Sequence, residues 1–144
     1  MLIRVADVND VRVLHRVRLS VLENRLTRTA ITDEDYIDAI TRTGKSWVAE
    51  IDGVIRAFAV ANKESRSIWA LFVEPAFEGR GLGRALHDVM IEWMRSVGCG
   101  VAWLETESGA RAESFYKKAG WRYVETTADG DARFELDLQV GRRS

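Results

Sequence analysis

The amino-acid sequence predicts a single-domain α/β protein whose strands and helices follow the order βααβββαβαββ. Three observations carry that expectation. Short apolar runs rich in β-branched and aromatic residues, such as residues 46–51, 54–62 and 67–73, have strand length and follow one another closely. Longer segments repeat their apolar residues at helical spacing and separate the later strands, as residues 82–97 do. Finally, 144 residues suffice for one ordinary core and would leave two cores marginal. Residues 1–140 are therefore read as one domain, with residues 141–144 as a frayed tail.

Residues 2–5 read as a short first strand, and Asp7 as the N-cap of a helix carrying Val8, Val11, Leu14, Val21 and Leu22. Thr32 with Asp35 resembles a capping box, and Tyr36, Ile37 and Ile40 recur at helical spacing behind it. Asp52 and Gly53 join the next two strands in a hairpin, because that pair readily supplies positive φ angles. Residues 67–73 form a buried strand ended by Glu74 and by Pro75, the only proline. On the helix that starts at Leu82, the residues Leu86, Val89, Met90, Trp93 and Val97 mark the apolar face, and Gly98 ends it. Residues 101–105 are another strand, residues 110–119 another helix stopped by Gly120, and residues 121–126 with 132–138 a closing antiparallel pair.

Composition narrows the function. With 47% hydrophobic and 30% charged residues the chain is globular, and 21 Lys and Arg against 22 Asp and Glu leave no overall field to draw it onto nucleic acid or an anionic membrane. Any phosphate site must be local. Cys99 is the one cysteine, which excludes an internal disulfide and a cysteine metal cage; His15 and His87 lack Cys or Asp partners at ligand spacing, so no metal is expected. The longest apolar run, residues 68–73, falls far short of the ~18–20 residues of a membrane span. Residues 2–7 alternate apolar and charged where a secretory signal would be apolar, so the expected location is the cytoplasm.

One segment carries chemistry. Residues 73–84 run from a strand end through Gly79, Arg80, Gly81, Leu82 and Gly83 into a helix that begins with Arg84 in its first turn. The first N–H groups of a helix have no internal partners, the helix dipole adds partial positive charge, and glycine lets the main chain approach an anion closely. Arg80 and Arg84 can add charge-assisted contacts. The turn has neither the Gly-Lys-Ser/Thr of a nucleotide P-loop nor a G-x-G-x-x-G: Arg84 and Leu86 stand where that pattern needs its last glycine.

Residues 68–93 resemble the acetyl-CoA-binding segment of the GNAT (Gcn5-related N-acetyltransferase) family, whose pattern is Arg or Gln, two residues, Gly, one residue, then Gly or Ala. Gly81 and Gly83 match the glycines, while Glu78 stands where Arg or Gln is usual. Residues 111–121, Arg-Ala-Glu-Ser-Phe-Tyr-Lys-Lys-Ala-Gly-Trp, are similar to the family's RAxxFYxxxGF ending. The resemblance implies a mixed, mostly antiparallel twisted sheet flanked by helices, and N-acetyl transfer from acetyl-CoA to a small-molecule or peptide amine. It implies a pantetheine arm along Leu71, Phe72 and Val73, and a pyrophosphate on the amides of Gly79, Arg80, Gly81, Leu82, Gly83 and Arg84. Tyr116 becomes the general acid for the departing CoA, its alternative being a packed ring. The asparagine that commonly contacts the pantetheine is Gly109 here, with Ser108 as its replacement. Departures at Glu78 and Gly109 keep open a non-catalytic acyl-CoA-binding or ligand-sensing module, and the family leaves a homodimer open.

An amine must be neutral to attack a thioester, so a base or a water relay is needed. Trp103-Leu104-Glu105 resembles the strand-end sequence of relatives that acetylate ribosomal-protein alanine, which makes Glu105 the candidate base and Glu107 its alternate. The N–H of Val73 is a candidate donor to the oxyanion of a direct attack. Trp69 and Trp103 are candidate borders of the acceptor pocket, and residues 23–27 a candidate cover for it.

Overall fold

A computed structural model of the chain describes residues 1–21, 33–107 and 111–139. Among the described residues seven strands form one sheet: β1 (Leu2–Val5), β2 (Gly44–Ile51), β3 (Val54–Asn62), β4 (Ser67–Val73), β5 (Val101–Glu107), β6 (Arg122–Thr126) and β7 (Asp131–Asp137). Their order across the sheet is β1-β2-β3-β4-β5-β7-β6, antiparallel throughout except where β4 meets β5. Among the same residues the helices α1 (Val11–Val21), α2 (Asp33–Thr41), α3 (Leu82–Ser96) and α4 (Arg111–Lys118) complete the expected βααβββαβαββ order.

The helices cover the sheet from both sides. β3 shows why: Ala57, Ala59 and Ala61 point into a core shared with Leu82, Leu86, Met90 and Met94 of α3, while Phe58 and Val60 point into a second core with Leu14 and Val17 of α1 and Tyr36 of α2. The period-two alternation puts small residues under α3 and larger ones under α1 and α2. Fully burying each large apolar side chain of α3 contributes about 1.5–3 kcal/mol, so the helix and the turn that precedes it are held firmly on the sheet.

Local signals behave as the sequence suggests. Asp52 (φ 53°) and Gly53 (φ 80°) both take left-handed geometry in the β2–β3 hairpin. Asp7 caps a 3₁₀ turn (Val8–Asp10) that leads into α1, reciprocated by the Asp10 carboxylate, which also takes two bonds from Arg4. Thr32 lies outside the described residues. The apolar face of α3 needs correction: Val89 and Val97 are exposed, and His87, Ile91 and Met94 are buried in their place. The row Leu82, Leu86, Met90, Met94 at four-residue spacing seats the helix, and the sheet's shape selects its neighbours at 87 and 91 rather than 89 and 97.

Candidate active site

The site begins where the sheet comes apart. β4 and β5 share one residue pair, Ser67 with Trp103, backed by the Trp103 N–H to the Arg66 carbonyl at 3.1 Å. Beyond it β5 stays paired with β7 over its whole length and β4 stays paired with β3, so among the described residues nothing pairs with the β5-side edge of residues 68–73. Alternate peptide groups on that edge face the gap with hydrogen-bonding capacity to spare. A bulge helps to set up this edge. Pairing with β3 steps from Ala70 to Ile68, leaving Trp69 as the extra residue, and Ile68 thereby turns into the α3 core with Leu71 and Val73.

The gap holds a cavity of about 650 Å³ lined by all of residues 68–73. Because it passes between two strands, it collects side chains from both faces of the sheet. Tyr116 reaches it from the α4 side, with Leu104, whereas Glu105 and Glu107 follow the opposite alternation along β5.

At one end stands the glycine turn. Glu74, buried at the end of β4, accepts from Arg56 at 2.9 Å and Arg16 at 2.7 Å, and its own N–H bonds the Arg56 carbonyl. That ionic knot fixes where the strand stops. Pro75 opens a 3₁₀ turn (Pro75–Phe77), and Gly79 and Gly81 follow with φ of 78° and 85°, values that penalise any side chain. Among the described residues no backbone N–H from Gly79 to Arg84 donates to the protein; the first bond of the helix is Ala85 N–H to Gly81. Gly83 packs closely on its neighbours, since a Cβ there would lie in van der Waals contact, 3.5 Å from Val73 and 3.6 Å from Phe115.

The charged groups around this turn are already engaged. Arg84 pairs with Asp88 at 3.0 Å, and the Arg80 guanidinium lies 4.8 Å from the centre of the Phe77 ring. Of the expected donor-site residues that are described, Arg80 alone is absent from the cavity wall; Leu71, Phe72, Val73, Gly79, Gly81, Leu82, Gly83 and Arg84 all line it. Ser108 lies outside the described residues, as do Gly109 and residues 23–27. Glu78 forms a 2.6 Å ion pair with Arg111, the first residue of α4, and both line the cavity.

Tyr116 is buried against Phe115, Trp121 and Phe134, with ring centres 5.2, 5.6 and 6.4 Å away. Its hydroxyl has no hydrogen-bond partner among the described residues, and burial alone pushes the phenol above its ordinary range. Glu105 is exposed and lies 3.5 Å from Arg133, whose guanidinium stacks 4.2 Å over Trp103. Trp69 lines the cavity, but Trp103 does not: its indole N–H is committed to the Ser65 carbonyl at 2.8 Å.

Behind the turn, His87 of α3 is buried. Trp121 donates its indole N–H to His87 Nε2 at 2.9 Å, which leaves Nδ1 to carry the proton and donate to Asp88, also at 2.9 Å. Burial pushes the imidazole pKa down, in keeping with the neutral ring this bond requires. Trp121 in turn sends its backbone N–H to the Tyr116 carbonyl at 2.9 Å, so turn helix and tyrosine share one support. Neither this link nor the Glu78–Arg111 pair has a local sequence signature.

This chain belongs to the acetyltransferase (GNAT) family, whose model matches residues 10–121. It is 36% identical over 92 residues, 62% of its length, to mycothiol acetyltransferase of Propionibacterium freudenreichii subsp. shermanii, and that match spans 27% of the relative. Similar solved structures include an N-acetyltransferase from Staphylococcus aureus Mu50, with TM-score 0.81 and 18% identity over 95% of this chain and 98% of that one. The ribosomal-protein-S18-alanine N-acetyltransferase of Escherichia coli has TM-score 0.74 and 21% identity, covering 95% and 93%. A PaiA N-acetyltransferase from Thermoplasma acidophilum, solved in complex with coenzyme A, has TM-score 0.79 and 17% identity, covering 95% and 99%.

Proposed function

We propose that the chain, acting as a single domain, moves an acetyl group from acetyl-CoA to an amine by direct attack. The observation that carries this reading is the continuity of one cavity, in which the amides of the glycine turn, the β5-side edge of β4 and the hydroxyl of Tyr116, all without partners among the described residues, succeed one another. Those features fit the donor. Unpaired N–H groups at a helix start suit a diphosphate, and an open strand edge suits an arm bearing amide groups. When bound, acetyl-CoA supplies the thioester whose carbonyl carbon the amine attacks.

The rest is work for the chain's residues. Leu71, Phe72 and Val73 hold the extended arm, with backbone giving affinity and side chains excluding water. Tyr116, kept neutral by burial, delivers its proton to the departing sulfur. Glu105 or Glu107, reaching the gap from the other face, takes the proton of the incoming amine directly or through water. A primary amine of a small molecule or peptide is the acceptor class, and it approaches from the face opposite α4, past Trp69.

Thermal unfolding with and without acetyl-CoA tests the donor site: ligand at about 100 times its dissociation constant should stabilise the fold by roughly 2.7 kcal/mol. Release of free CoA on adding amines then tests turnover. No stabilisation at millimolar ligand would sink the acetyl-CoA reading; stabilisation without release across a broad amine panel would instead identify a non-catalytic acyl-CoA-binding module.

A further inference from the structure

Arg111 stands at the first position of α4, where the helix dipole repels a cation, so helix stability gives no reason for it to be there. Its partner is Glu78, thirty-three residues away in sequence and 2.6 Å away in space. Glu78 immediately precedes the stretch of unpaired amides that starts at Gly79, which attracts any carboxylate within reach. The other two arginines of the turn cannot restrain it, because Arg80 lies on Phe77 and Arg84 is held by Asp88.

We propose that the Glu78–Arg111 pair sets the affinity of the glycine turn for a diphosphate: Glu78 is an internal anion that competes for the turn's amides, and Arg111 holds it away from them. The inference rests on the acetyl-CoA reading above and adds a specificity-determining pair to it. A phosphate on the turn meets a neutralised carboxylate while the pair is intact and a bare like charge when Arg111 is lost. Glu78 without its charge would compete for nothing.

The test is calorimetric titration of the full chain with acetyl-CoA, with each variant's melting temperature checked alongside. Glu78→Gln should tighten binding by about three- to tenfold, an effect of the size expected for one partly screened charge. Arg111→Ala should weaken binding by a similar factor, and the double variant should recover at least the wild-type affinity. The gain from Glu78→Gln should shrink as salt is raised from about 50 to 500 mM. An unchanged or weakened Glu78→Gln overturns the proposal, as does a double variant no tighter than Arg111→Ala, which would make Arg111 itself the phosphate contact. Wild-type chain that binds no acetyl-CoA overturns the parent reading and this one together, whereas wild-type binding that Glu78→Gln leaves unmoved overturns this one alone.

Discussion

Replacing Tyr116 by Phe removes one oxygen atom and leaves the ring contacts to Phe115, Trp121 and Phe134 in place. That oxygen has no hydrogen-bond partner among the described residues, so its removal should leave the fold at least as stable as the wild type near neutral pH. Catalysis should respond very differently. A positioned proton donor contributes roughly 10²–10⁴-fold, which is about 2.7–5.4 kcal/mol of the barrier. Amine-dependent release of free CoA, followed with a thiol reagent, should therefore lose at least about 100-fold in kcat, while the dissociation constant for acetyl-CoA stays within about twofold.

The same hydroxyl has a second readout. Because burial raises the Tyr116 pKa, the folded chain holds this proton more tightly than the unfolded chain does. The resulting stability is fully present below the ordinary phenol value of about 10 and is lost as pH rises through the higher folded value. Urea titrations above about pH 10 should show wild-type stability falling more steeply than that of Tyr116→Phe. A Phe variant that keeps more than about a third of wild-type kcat, with unchanged donor affinity, would refute the proton-donor role and leave Tyr116 as packing.

Four further outcomes follow from the fold. Gly44→Ala would set a Cβ 1.8 Å from the Ala61 carbonyl oxygen and force β2 and β3 apart, so a loss of about 3 kcal/mol or more is expected in urea unfolding. Glu74→Gln leaves Arg16 and Arg56 without their shared carboxylate, whose side chain is only 9% exposed, and should cost about 1–3 kcal/mol. Asp38→Asn, which breaks an open, solvent-screened pair with Arg42, should leave the urea midpoint unchanged within error. His87 has a pKa lowered by burial, so its neutral form contributes stability that is complete above about pH 6.5 and declines as pH falls toward the folded value; His87→Gln should flatten that part of the stability–pH profile.

What the sequence discloses and what it withholds divide along physical lines. Turn chemistry is local, so the Asp52–Gly53 hairpin and the glycine turn ahead of α3 can be read directly, and helical spacing locates the four helices of the described residues. Spacing names a helix face but not the surface it meets, so Val89 and Val97, apolar by spacing, face solvent while Ile91 and Met94 are buried. Contacts between distant residues leave no periodic trace at all: His87 with Trp121 and Glu78 with Arg111 are visible only once α3 and α4 have been docked.

The site itself poses the sharper case, because it depends on pairing that does not occur. The apolar run of β4 is what a strand in the middle of a sheet requires, and β4 is indeed fourth of seven. A strand that lines a cleft between two covered faces requires the same run, since it too is shielded on both sides and meets a largely apolar wall. Core and site therefore share one signature along residues 68–73. They are separated by the bulge at Trp69 and by a single bridge at Ser67, features of backbone register that side-chain patterning does not encode. The family resemblance supplied that register from outside the chain's own pattern, and it did so through the glycines and the tyrosine that the open edge brings into one cavity.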